Sequence, residues 1–89
     1  MLPTADDFRD ALSKIFMEAE RMKLHYVDVR SGDLHRRLGS YPGKNHRMPV
    51  CCEVMKGIMM YGDKILSQPR SGKGATLVIR YQLPRSNGY

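Results

Sequence analysis

Residues 44–61 join a polar, basic opening to an apolar run through a single proline. They read Lys44-Asn45-His46-Arg47-Met48-Pro49-Val50-Cys51-Cys52-Glu53-Val54-Met55-Lys56-Gly57-Ile58-Met59-Met60-Tyr61. Proline has no amide hydrogen and a fixed φ. It therefore suits the first turn of a helix, where that amide would have no partner. The pattern predicts a helix from Pro49 to about Tyr61, with Gly62 just past its end. Val50, Val54 and Ile58 recur every four residues and predict one buried stripe. Lys44, His46 and Arg47 then sit at the electropositive N-terminal end of that helix.

Upstream, Thr4 stands three residues before Asp7, which is the spacing of a helix N-cap with acidic residues in its first turn. Phe8, Leu12, Ile15, Phe16, Ala19 and Met22 follow at helical spacing and predict an amphipathic helix over Ala5–Lys23. Its apolar face can serve as core or as a dimer surface. Tyr26–Val29 is rich in strand-favouring residues and predicts a short strand. Ser31–Gly39 predicts a two-turn helix capped by Ser31, with Leu34 and Leu38 on one side and Gly39 at its end. Ser40–Asn45 contains Pro42-Gly43 and reads as a turn.

Downstream, Asp63–Gln68 predicts a strand, and Pro69–Gly74 a glycine-rich hairpin loop carrying Arg70 and Lys73. Ala75–Leu83 is the clearest strand, with Leu77, Ile79, Tyr81 and Leu83 alternating against Thr76, Val78, Arg80 and Gln82. Pro84 ends it, and Arg85–Tyr89 reads as a frayed tail. The 89 residues make a single domain with an ordered core over about 4–84.

The net charge of +6 is unevenly placed. Residues 1–23 carry four Lys/Arg against five Asp/Glu, whereas residues 24–89 carry eleven against four. A basic two-thirds of the chain implies a face that meets an anion. Cys51 and Cys52 are adjacent, so they outline no disulfide framework. Neighbours on a helix point about 100° apart, which does not suit a shared metal. One is expected to face the core and the other to be a free thiol. His25, His35 and His46 show no ligand spacing, and no cofactor or metal is implied. Gly72-Lys73-Gly74 lacks the spacing of a phosphate-binding loop. His35, Cys52 and Asp33 offer catalytic chemistry without a spacing that unites them, so the reading is not an enzyme. No signal-peptide pattern or membrane-length apolar run is present in these residues, and the expectation is a cytoplasmic protein with no membrane partner.

Helix, short strand, helix, helix, strand, basic loop, strand: this order resembles the winged helix-turn-helix domain, an α+β fold, over about residues 4–84. Ser31–Gly39 stands where the second helix would be, Pro49–Tyr61 the third, and Arg70–Gly74 the tip of the wing. The resemblance implies double-stranded DNA as partner, with the third helix in the major groove, in a transcriptional regulator or accessory DNA-binding subunit. Asn45, His46 and Arg47 are then the candidates for base edges. Arg36, Arg37 and Lys44 are candidates for phosphates, as are Arg70, Ser71 and Lys73 from the wing. A homodimer through the first helix, or association with a larger protein, would enlarge the footprint of so small a module. The alternative is a winged-helix protein–protein module without nucleic acid.

Overall fold

A computed structural model describes residues 2–39 and 46–85. Three helices and three strands follow one another as α1 (Ala5–Arg21), β1 (Tyr26–Arg30), α2 (Ser31–Leu38), α3 (Met48–Gly57), β2 (Lys64–Ser67) and β3 (Val78–Gln82). The sheet is antiparallel in the order β1-β3-β2, so the last strand lies between the first and the hairpin partner. This is the α+β layout expected, with three helices, a small antiparallel sheet and a hairpin, and it is compatible with a winged helix. No helix among the described residues is long and apolar enough to cross a membrane.

Local chemistry explains most boundaries. Thr4 and Asp7 form a reciprocal capping box: the Asp7 amide donates to Thr4 Oγ1 at 3.2 Å and the Thr4 amide to Asp7 Oδ2 at 2.8 Å. α1 buries Phe8, Ala11, Leu12, Phe16 and Ala19, while Met22 lies past its end and is exposed, contrary to its place in the predicted stripe. α2 starts at Ser31, but Ser31 is not its cap. Arg30 occupies that position without a side-chain bond, and Ser31 is fully buried inside the first turn. The free amides of that turn are met by main chain instead: Ser31 N donates to Leu77 O at 2.8 Å and Gly32 N to Ala75 O at 3.0 Å.

α3 is shorter than its sequence pattern. It begins at Met48, with Pro49 in the first turn as expected, and ends at Gly57 with Ile58 as C-cap. Gly62 lies beyond, in the turn before β2. The buried face is made by Met48, Cys51, Cys52, Val54 and Met55. Val50 and Ile58 are only half-buried, so the predicted Val50/Val54/Ile58 stripe lies at the margin of the core. Both cysteines are buried and unpaired, which corrects the expectation of one inward and one free. Leu77, Ile79, Tyr81 and Leu83 do point inward as a set, although regular strand begins only at Val78. Tyr81 satisfies its hydroxyl by donating to Met55 O at 2.7 Å and packs edge-on against Phe16.

Arg85 is buried, not part of a frayed tail. Its guanidinium donates to both carboxylate oxygens of Asp63, at 2.9 and 3.3 Å, and to the carbonyls of Ile58 and Gln82 at 2.8 and 3.2 Å. It lies over the rings of Phe16 and Tyr81, and its own amide donates to Glu20. The two side chains of the ion pair are 3% and 1% exposed. Asp63 also accepts from the amides of Met60 and Gln82, both at 2.7 Å. Burial alone would raise the Asp63 carboxyl. The hydrogen bonds from Arg85, Gln82 and Met60 outweigh it and hold the group below the usual carboxylate range.

Removing one partner of such a pair leaves a buried charge without compensation. Asp63→Asn should therefore cost about 3–5 kcal/mol in urea unfolding at neutral pH. Because the folded-state value is depressed, the stabilisation from Asp63 is complete above the ordinary carboxylate range and fades as pH falls below about 4. The same variant should lose less stability than the parent chain over that acid interval, measured by unfolding at stepped pH.

Candidate nucleic-acid interface

The loop between β2 and β3 is fastened to the helices instead of standing free. Gly72 turns the tip with φ of 74°, a left-handed conformation that costs any residue with a Cβ, and its amide donates to Pro69 O at 2.8 Å. The Lys73 amide donates to Ser71 Oγ at 3.2 Å. On the returning leg, Gly74 O accepts from Ser31 Oγ at 2.6 Å and from Cys52 Sγ at 3.4 Å. A Cβ on Gly32 would stand 3.0 Å from Ala75 O, so the glycine allows α2 to approach this leg. The leg is thus held by one residue from each of α2 and α3, and by the two opening amides of α2.

The tip then meets the outer side of α3. Lys73 Nζ lies 3.1 Å from Glu53 Oε1. Lys56 Nζ lies 2.8 Å from where a Cβ on Gly72 would project. α3 and the loop therefore present one continuous surface that carries Lys56, Glu53 and Lys73, with Arg70 exposed two residues before Gly72.

The start of α3 is set by a buried histidine. His35 Nε2 accepts from the Arg47 amide at 2.8 Å. That bond assigns the proton to Nδ1, which faces Gly39 O at 3.1 Å. One ring thereby ties the C-terminal end of α2 to the residue that caps α3, across a connection whose residues 40–45 lie outside the described part. Phe8 packs edge-on to the same ring at 5.1 Å. His46 adds a second tie, since its Nδ1 accepts from the Met48 amide at 3.1 Å. Arg47 is exposed directly beside these anchored atoms.

The sequence-predicted residues fall into groups. Arg70, Ser71 and Lys73 sit together at the loop tip, with Ser71 shaping it and Lys73 turned to α3. His46 and Arg47 sit at the start of α3; Lys44 and Asn45 lie outside the described residues. Arg36 and Arg37 are exposed on α2, with Arg36 Nη1 3.7 Å from Asp33. Arg37 lines clefts with Asp10, Lys14 and Arg21 of α1, so its surroundings are those of the first helix, not the loop. Glu53 and Lys56 were missed in the sequence reading. Their spacing of three places them on one helix face, but only the fold shows that this face is the one the loop reaches.

Both ring nitrogens of His35 face main-chain partners. Burial pushes the Cys51 thiol up to about 12, helped by Cys52 beside it. Burial likewise raises Cys52, opposed by its hydrogen bond with Ser31. Among the described residues no three His, Cys, Asp or Glu gather as a metal site. No family model, curated protein or solved structure matches this chain.

His35→Ala removes the acceptor of the Arg47 amide. The expected loss is about 1–3 kcal/mol in unfolding free energy for the orphaned amide, before any cavity cost. Hydrogen exchange resolved by residue should show the Arg47 amide losing protection more than the amides of β3.

Proposed function

We propose that this chain is a winged helix-turn-helix domain that binds double-stranded DNA, as a transcriptional regulator or an accessory DNA-binding subunit. The observation that carries the reading is the attachment of the basic loop to α2 and α3 through Gly74 O, which accepts from Ser31 Oγ and Cys52 Sγ, with the loop tip reaching Glu53 and Lys56 on the outer side of α3. A helix able to enter the major groove and a cationic loop able to follow the adjacent backbone are thereby held in one fixed relation. In this reading Arg47 approaches the duplex at the start of α3, where helix amides and partial positive charge also favour phosphate. Arg70 and Lys73 contact phosphates from the loop, with Ser71 beside them. Arg36, exposed on α2, and Lys44 are the further phosphate candidates. His46, whose Nδ1 accepts from the Met48 amide and whose ring lies edge-on to His35, is a base-edge candidate beside Arg47. Asn45 is the remaining base-edge candidate.

A single module of this kind covers only about 600–1,000 Å² of protein surface on DNA. A homodimer through α1, where Met17 stays exposed with Met22 just past the helix end, would double it. A cytoplasmic location agrees with two unpaired thiols. One observation favours a second reading, a protein-interaction module. Val50, Glu53, Val54, Gly57 and Ile58 line an open groove with Ala5 and Arg9 of α1, a mixed polar and apolar surface that a partner segment could fill.

Fluorescence anisotropy with a labelled mixed-sequence duplex separates the two. DNA binding predicts an affinity that falls steeply with salt, at a log–log slope of about −0.9 per phosphate contact. The double substitution Arg47→Ala, Lys73→Ala should weaken binding across all sequences and reduce that slope by about 1 per contact removed. An unchanged affinity would exclude this face. Absence of binding at low salt would favour the protein-partner reading.

A further inference from the structure

On the reading of this surface as a DNA interface, what α3 can say to a base is narrowly limited. Met48, Cys51, Cys52, Val54 and Met55 are buried in the core and cannot reach a groove. Pro49, Val50, Glu53, Lys56 and Gly57 remain toward the outside. Of these five residues only Glu53 and Lys56 have side chains with hydrogen-bonding groups, so direct readout from the body of the helix must pass through them.

Glu53 is the less expected of the two. A carboxylate on a DNA-facing helix is repelled by phosphate and adds nothing to non-specific affinity. Its use in the major groove is discrimination. The exposed edge of cytosine offers the N4 amino donor without an acceptor beside it on the same base. Adenine pairs its N6 donor with the N7 acceptor, and guanine and thymine offer acceptors. A carboxylate therefore gains at cytosine and loses elsewhere.

In the free protein Glu53 is occupied by Lys73, but both side chains are more than half exposed, 62% and 52%. Such a pair is weak and exchanges readily against water and counter-ions. A backbone phosphate competes for Lys73 and at the same moment releases the Glu53 carboxylate.

We infer that Glu53 is a specificity-determining residue of the DNA face. It accepts from the N4 amino group of one cytosine, while Lys73 moves from Glu53 to a neighbouring phosphate. Lys56, one turn further on, donates to the acceptors of an adjacent guanine. Loading of the groove is thus coupled to an exchange of ion pairs, and non-cognate sites leave the carboxylate facing acceptors.

The test is selection from a randomised duplex pool with the full chain and with Glu53→Ala and Glu53→Gln, followed by anisotropy on the selected duplex and its single-pair variants. Thermal melting checks that both variants fold, as an exposed side chain should allow. The parent chain should enrich a C·G pair at one position, and replacing that pair by T·A should cost it about 5- to 150-fold in affinity. Glu53→Ala should bring this ratio close to 1 while binding non-specific duplex at least as tightly as the parent. Glu53→Gln should shift the preferred pair toward A·T, because a glutamine amide matches the donor and acceptor of adenine. A C·G preference retained in Glu53→Ala would overturn the inference. So would salt-sensitive binding by the parent chain with no preferred pair, which leaves the DNA-binding reading standing. No binding of any duplex at low salt would remove both.

Discussion

A single guanidinium holds four parts of this fold together. Arg85 bonds the C-cap of α3, the turn before β2 and the end of β3, and lies over a ring from α1. Its charge is tolerated inside because Asp63 neutralises it and carbonyls take further donors. Asp63 in turn closes the α3–β2 turn and caps β3 through two amides. Neither residue could be buried alone. The apolar core around Phe8, Phe16, Met55 and Tyr81 supplies the bulk of the burial. The pair supplies direction, since hydrogen bonds fix where each element may end whereas apolar contact does not.

The same division of labour governs the outer surface. The helices pack through side chains, but the basic loop is placed through main-chain carbonyls that meet Ser31, Gly32 and Cys52. A loop fixed in this way loses little conformational freedom when it meets a ligand, and less of the interaction is spent on ordering it. The long connection between α2 and α3 is handled similarly. His35 meets Gly39 O at the end of α2 and the Arg47 amide at the start of α3.

Much of the architecture was legible from periodicity. The capping box at Thr4, the inward alternation of Leu77 to Leu83 and the proline in the first turn of α3 are local signals with local causes. The misreadings share another origin. Ser31 looks like a cap by composition, yet tertiary main-chain partners take the amides and free its hydroxyl for Gly74. Arg85 follows a proline at the end of the chain and reads as solvent-exposed. Only the arrival of Asp63 and Ile58 from distant positions, beside the nearby Gln82 carbonyl, makes its burial possible. Glu53 and Lys56 were passed over because their meeting with the loop depends on contacts about 20 residues apart. Local patterns announce elements, but not which buried polar groups join them.

The adjacent cysteines, each bonded to a different carbonyl, make the fold a two-channel reporter of its own opening. Cys52 rests against Gly74 O, so its thiol meets solvent reagents when the loop lifts from α3. Cys51 rests against Ser31 O, and its exposure requires α2 and α3 to part. Alkylation rates at two neighbouring atoms of sulfur therefore distinguish a surface movement from a breach of the interior.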